Sequence, residues 1–258
     1  VRQGFTLLEL SIVLVIIGLL IGGIFVGQSL IHTAQLNAVV TEFNRYQTAT
    51  QNFKQQYQAL PGDMNNAVSF WGSAGGTGAD ATCATTASTT AATCNGNGDG
   101  NVYLQGGIWL ESFRFWQHLA NAKMIEGSYT GATTAAGVAN NGVPGTNIPA
   151  SRYPSLSWSL GPSTAITPTE GAFFAADYGT GHLFFVGQAN GVYSTAGIIP
   201  SKDVWAIDKK YDDGKPGMGN IISSENSPCV NAANLNDLGT TYKLTANAAC
   251  YMMFLASF

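Results

Sequence analysis

Only 10% of the 258 residues are charged, well below the ~25% of an ordinary soluble domain. A net charge of −4 gives no basic field for nucleic acid, and a surface of uncharged polar residues suits a secreted or packed assembly better than a cytosolic protein. The length accommodates one membrane helix and one sizeable domain.

From Phe5 to Gly27 the only polar side chains are Thr6, Glu9 and Ser11, and Glu9 is the only charge. A bilayer core is crossed by ~20 predominantly apolar helical residues, so this run is long enough to span one. A carboxylate in such a segment costs roughly 3 kcal/mol at the bilayer centre, so it needs a partner. Gly18/Gly22 and Gly23/Gly27 form two small-xxx-small pairs, the spacing that lets helix backbones approach closely.

The residues Gly4-Phe5-Thr6-Leu7-Leu8-Glu9-Leu10, followed directly by that apolar run, resemble the class III prepilin-type cleavage and methylation motif of type IV pilins and pseudopilins. The resemblance implies a leader Val1-Arg2-Gln3-Gly4 removed after Gly4 by a prepilin peptidase, and N-methylation of Phe5. It implies that Glu9 pairs with the terminal amine of a neighbouring subunit's Phe5, and the small-residue spacing places Gly18 and Gly22 at the helix contacts. The partners implied are copies of this chain, the inner membrane before assembly, and the pilus assembly machinery. The family often has a proline inside the apolar helix. None occurs here before Pro61, which leaves the glycines as the only weak points.

Beyond the membrane segment, Leu36, Val39, Phe43, Tyr46, Thr50, Phe53, Tyr57 and Leu60 recur at alternating spacings of three and four. That is one helix face, with Glu42, Arg45, Gln51 and Lys54 off it. Pro61-Gly62-Asp63 predicts the stop. The expected organisation is a leader (1–4), a transmembrane or filament-core helix (5–30), an amphipathic continuation (31–60) and a head (61–258).

Within the head, residues 65–71 predict a short helical turn and residues 72–102 a polar loop. Ile108–Ile125 has helical spacing, and residues 127–151 read as a second loop. Residues 172–176 and 182–186 flank Asp177-Tyr-Gly-Thr-Gly, a hairpin pattern. Ser201 reads as the N-cap of a helix ended by Asp212-Asp213-Gly214. Residues 242–245 and 250–255 read as the last strands. The expected fold is α+β: one long helix packed on an antiparallel sheet, with a loop-rich middle, as in type IV pilins.

Cys83, Cys94, Cys229 and Cys250 lack metal-site spacing and read as two disulfides. Sequence proximity favours Cys83–Cys94 and Cys229–Cys250 among three connectivities. The second pair resembles the disulfide-bounded C-terminal region of many pilins. Asn95, Asn97, Asp99 and Asn101 alternate with glycines, as in a calcium loop, and calcium is the one cofactor this motif suggests. A plain Asn/Gly turn is the alternative. Asp208, Asp212 and Asp213 form an acidic cluster interleaved with lysines, read as a solvated helix end ahead of a metal site, with a tight turn in which Asp212 or Asp213 accepts backbone amides. His32, His118 and His182 lie in three separate segments, and no hydrolase or nucleotide-binding motif is present. The expected function is therefore a filament subunit rather than an enzyme. A type II secretion pseudopilin is the alternative, and a membrane-anchored periplasmic enzyme the remote one.

Overall fold

The computed structural model describes residues 6–79, 81–102, 104–105, 109–132, 141–162, 181–223, 229–231, 239–245 and 249–258. The first element, α1 (Leu7–Tyr57), is 51 residues long, about 77 Å at 1.5 Å per residue. Thr6 is its N-cap and forms a capping box with Glu9. The Glu9 amide donates to Thr6 Oγ1 at 3.2 Å, and Glu9 Oε2 accepts from the Thr6 amide at 2.8 Å. The helix ends three residues before the expected Leu60, because Gln58 turns into the left-handed region (φ 54°) and donates its amide to the Lys54 carbonyl. Leu60 still fills the core, from the loop side.

From residue 7 to 31 the large side chains of α1 are exposed, and from Val39 onwards its inner face is buried. That face meets an aromatic core. The Tyr46 ring lies 4.9 Å from Trp116 and 5.6 Å from Trp158, and Phe43 stacks on Phe254 at 4.6 Å. Offset and edge-on ring pairs of this kind add to the stabilisation that burial alone gives.

After α1 come α2 (Val68–Trp71), α3 (Ala81–Thr85), the two-residue strands β1 (Leu104–Gln105) and β2 (Trp109–Leu110), and α4 (Glu111–Asn121). The second long helix is thus shorter than the expected Ile108–Ile125. Strand β2 precedes it, and Lys123 (φ 60°) closes it in the left-handed region. Then follow β3 (Ser157–Pro162), β4 (His182–Asn190), β5 (Tyr193–Ala196), β6 (Ile199–Pro200), α5 (Ser201–Tyr211), β7 (Ile221–Ser223), β8 (Ala249–Cys250) and β9 (Met252–Leu255).

The main sheet is antiparallel with strand order β3-β4-β9-β7, and β5 is joined to β4 by a tight turn at Gly191 (φ 69°). With α1 across it, this is an α+β arrangement consistent with a pilin-like fold. Several local expectations change. Residues 172–176 lie outside the described residues. The partner of β4 is β3, which the sequence reading left unassigned. Tyr242 makes an isolated bridge with Val230 rather than a strand. Helix α5 is capped by Pro200 without a side-chain bond, and Ser201 Oγ instead donates to the Lys243 carbonyl. The bridges Cys83–Cys94 and Cys229–Cys250 are both formed.

Candidate functional site: an apolar shaft locked into a head

Among the described residues one helix is long and apolar enough to cross a membrane, with mean hydropathy 2.8 in its most apolar window and none of that window buried. Within it, a Cβ built on Gly18, Gly22, Gly23 or Gly27 meets nothing within 4 Å, so a neighbouring backbone has room to approach there. Glu9 stands at the head of the shaft. Besides the Thr6 amide, its Oε2 accepts from Thr6 Oγ1 at 2.9 Å. One carboxylate thus closes the first turn of the helix and still has acceptor capacity for an incoming donor.

The shaft enters the head through Glu42, which is only 8% exposed. Glu42 Oε2 accepts from Trp158 Nε1 (2.7 Å) and Ser151 Oγ (2.6 Å), and Oε1 accepts from the Arg152 amide (2.8 Å). The sequence reading placed Glu42 off the buried face. A usable signal was there: Val39, Glu42, Tyr46, Ala49 and Phe53 also alternate three and four, so Glu42 shares a register with buried residues.

Lower on the shaft, His32 Nε2 is 3.1 Å from Asp203 Oδ2, and Asn37 Oδ1 accepts from Lys210 Nζ (3.1 Å) and Tyr211 Oη (3.3 Å). These contacts tie α5 to α1. At the end of α5, Asp208, Asp212 and Asp213 present oxygens within 4.8 Å of one another. The expected solvated helix end is corrected here, because Asp208 is fully buried. Asp208 accepts from Tyr242 Oη (2.7 Å) and the Gly214 amide (2.9 Å), and burial pushes its carboxyl up to about 7. Asp212 accepts from the Asn220 and Ile221 amides, and Asp213 from the Lys215 amide. These are turn-forming contacts.

The glycine-rich loop closes on a carboxylate of its own chain. Asp63 is buried and accepts amide protons from Gly98 (2.6 Å), Asp99 (3.0 Å) and Gly100 (2.9 Å). Burial raises the Asp63 carboxyl, and the amides partly offset that. Gly96 is obligatory, since a Cβ there would sit 2.4 Å from the Asp63 backbone. Three of the four predicted donors also accept amide protons within the chain. Asn95 Oδ1 accepts from the Val68 amide (2.8 Å), Asn97 Oδ1 from the Asp99 amide (2.9 Å), and Asp99 Oδ1 from the Asn101 amide (2.8 Å). Calcium takes six to eight converging oxygens. This loop turns its Gly98, Asp99 and Gly100 amides onto Asp63, and the Asn97 amide donates to Glu111 Oε1 at 3.1 Å.

The histidines serve the fold. His118 is fully buried: Nδ1 accepts from the Gly62 amide (2.9 Å), which leaves the proton on Nε2 facing Thr93 Oγ1 (2.9 Å). Burial lowers its pKa to about 3 and that of His182 to about 4. His182 Nε2 accepts from the Val102 amide at 2.9 Å. Among the described residues, a cleft of about 350 Å³ beside Tyr129 is lined by hydroxyls, amides and Lys123, with neither a carboxylate nor a histidine.

Residues 1–25 match a family model described as "Prokaryotic N-terminal methylation motif", the class III prepilin-type signal of type IV pilins and pseudopilins. No curated protein and no solved structure matches the chain. The motif supports a type IV pilin-like or pseudopilin protein, and with the apolar helix it fits an inner-membrane precursor.

Proposed function

We propose that this chain is a structural subunit of a type IV pilus or pilus-like extracellular filament, held in the inner membrane and polymerised through its N-terminal helix. One observation carries the reading. A methylation-type motif heads an exposed apolar shaft, and that shaft continues without a break into the core of the head. A permanent anchor has no need of a continuous helix bonded to its domain at Glu42, whereas a filament subunit must transmit the position of its shaft to its outer surface.

On this reading, cleavage after Gly4 frees the Phe5 amine, which is then methylated. In the isolated chain Glu9 is occupied by its own Thr6. On assembly the ammonium of the neighbouring Phe5 approaches the same carboxylate. Within hydrocarbon each charge is costly alone and tolerable as a hydrogen-bonded pair, so the pair fixes the axial register. The rest of the shaft exchanges lipid for neighbouring helices with little net hydrophobic change, and the glycine pairs admit close contact.

The decisive measurement is mass spectrometry of the native N-terminus. N-methylated Phe5 in extracellular filaments is the expected result, and an intact leader in that material overturns the reading. Glu9→Ala should insert into membranes normally and reduce filament yield at least tenfold. A short periplasmic assembly, together with failed exoprotein secretion when the chain is deleted, would instead identify a pseudopilin.

A further inference from the structure

Helix α5 segregates its charges by depth. Asp203 and Asp208 are buried, and the Asp212 carboxylate is turned onto the Asn220 and Ile221 amides. Lys202, Lys209, Lys210 and Lys215 are exposed, opposed on that surface by Asp213. A segment with equal numbers of acids and bases thus presents a cationic outer face on a chain of net charge −4. Two aromatic side chains accompany the lysines. Lys209 Nζ lies 4.7 Å from the centre of the Trp205 ring and Lys210 Nζ 4.9 Å from that of Tyr211, a residue 46% exposed.

The position of this face along α1 is fixed by contacts already described. Asp203 is level with His32, the residue after the last large exposed apolar side chain of α1, Ile31. Lys210 and Tyr211 are level with Asn37, about 8 Å further along the axis. The shaft from Leu7 to Ile31 is about 37 Å long, enough to cross a hydrocarbon core of ~30 Å and enter the far headgroup layer. The α5 lysines therefore stand within one screening length, ~10 Å, of that layer, on side chains able to extend towards it. Lysine with tryptophan and tyrosine at this depth is the composition of an interfacial anchor.

We propose that the α5 face docks onto the anionic phospholipid headgroups of the bilayer that holds α1, seating the head against the membrane until the subunit is extracted. The inference rests on the membrane-stored subunit reading above. It adds a lipid-recognising surface outside the apolar helix, continuous with the membrane-spanning segment and complementary in charge to acidic lipid.

The test uses the full chain in nanodiscs of phosphatidylcholine alone and of phosphatidylcholine with phosphatidylglycerol. Lysine acylation is followed residue by residue by mass spectrometry, with amide exchange of residues 7–31 as the insertion control. Lys54, exposed and about 25 Å further along the helix than Asn37, is the internal reference. Acylation of Lys202, Lys209 and Lys210 relative to Lys54 should slow several-fold in the acidic discs and recover in high salt. Lys202→Gln/Lys209→Gln, with an unchanged unfolding temperature, should release Lys210 in the acidic discs. Equal acylation in both lipids, with residues 7–31 protected, overturns the inference and leaves the membrane reading standing. Slowing that follows protein per disc and not lipid charge also overturns it, and assigns the face to contacts between copies. Unprotected residues 7–31 in both discs overturn the membrane reading and the inference with it.

Discussion

Asp208 carries the residue-scale consequence that is easiest to measure. Its folded carboxyl titrates at about 7, above the ordinary 3.8, because burial penalises the charge more than Tyr242 and Gly214 relieve it. Between those values the folded state holds a proton that the unfolded state has released. The contribution is complete below about pH 4 and is lost as the pH rises through 7, at most about 4 kcal/mol across the window and less where solvent screens the site. His118 and His182 act in the opposite direction. Their folded values are depressed, so their contribution is present above 6.5 and is lost as the pH falls. The wild type alone mixes the two slopes, and the Asp208→Asn variant separates them. Asparagine mimics the protonated acid, so the variant should gain stability over the wild type at pH 8 and show almost no difference at pH 4. Thermal unfolding at both pH values checks this, and an equal offset at the two would remove Asp208 as the cause.

Glu42 belongs to the same scale. Removing its carboxylate leaves Trp158 Nε1, Ser151 Oγ and the Arg152 amide without their acceptor. Stranded buried donors cost ~1–3 kcal/mol each, with some relief from water at the partly open side. Glu42→Ala should therefore lose roughly 3–5 kcal/mol in denaturant unfolding, and Glu42→Gln, which keeps one acceptor, clearly less. A loss below 1 kcal/mol for the alanine variant would show that the three bonds are replaceable.

At the scale of elements, α4 explains what the sequence concealed. Glu111 to Ala120 are all buried, yet the helix has a strongly polar face. Arg114, Gln117, His118 and Asn121 fall at i, i+3, i+4 and i+7, a pattern that ordinarily faces water. Here the disulfide-closed loop covers them. Arg114 donates to the Cys83 and Thr86 carbonyls (2.9 and 2.6 Å), Gln117 to the Ala92 carbonyl (3.0 Å), and Asn121 to the Ala91 carbonyl (2.7 Å). Sequence periodicity made α1 legible because its pattern is apolar and its partner is the core. It could not place a polar loop on a polar helix face, since hydrogen bonds between distant segments leave no period. The motif at Glu9 was legible for a similar reason: a lone charge in an apolar run stands out, whereas Glu42 is one acid among several polar neighbours. In the glycine-rich loop the sequence pattern shows the side-chain oxygens but not the amides, which enclose Asp63. Burial lowers the Arg114 guanidinium to about 10, and its two amino groups donate to the Cys83, Thr86 and Thr130 carbonyls and Gln117 Oε1. Arg114→Ala should therefore free residues 82–93 while the Cys83–Cys94 bridge stays intact. Amide exchange in that loop should rise at least tenfold against an unchanged main sheet, and equal protection would show that the disulfide alone orders it.

The whole molecule divides its surfaces sharply. Large exposed apolar side chains run almost continuously from Leu7 to Ile31, while among the described residues of the head they are scattered: Phe70, Val143, Tyr211, Met218 and Leu244. Isolated apolar residues are ordinary on soluble proteins, whereas a continuous shaft must be covered by lipid or by other helices. The core that closes the head begins at Val39, and the Glu42 bonds, the sheet and both disulfides lie beyond it. Among the described residues, the contacts that fold the head are therefore separable from the exposed apolar shaft. A chain of residues 28–258 should dissolve without detergent, scatter light as a monomer and unfold at a temperature independent of its concentration. It should retain both disulfides and fail to enter filaments formed by the complete chain. If the shortened chain aggregates, or needs detergent as the full chain does, the head has an uncovered surface of its own, and the shaft is not the sole assembly element.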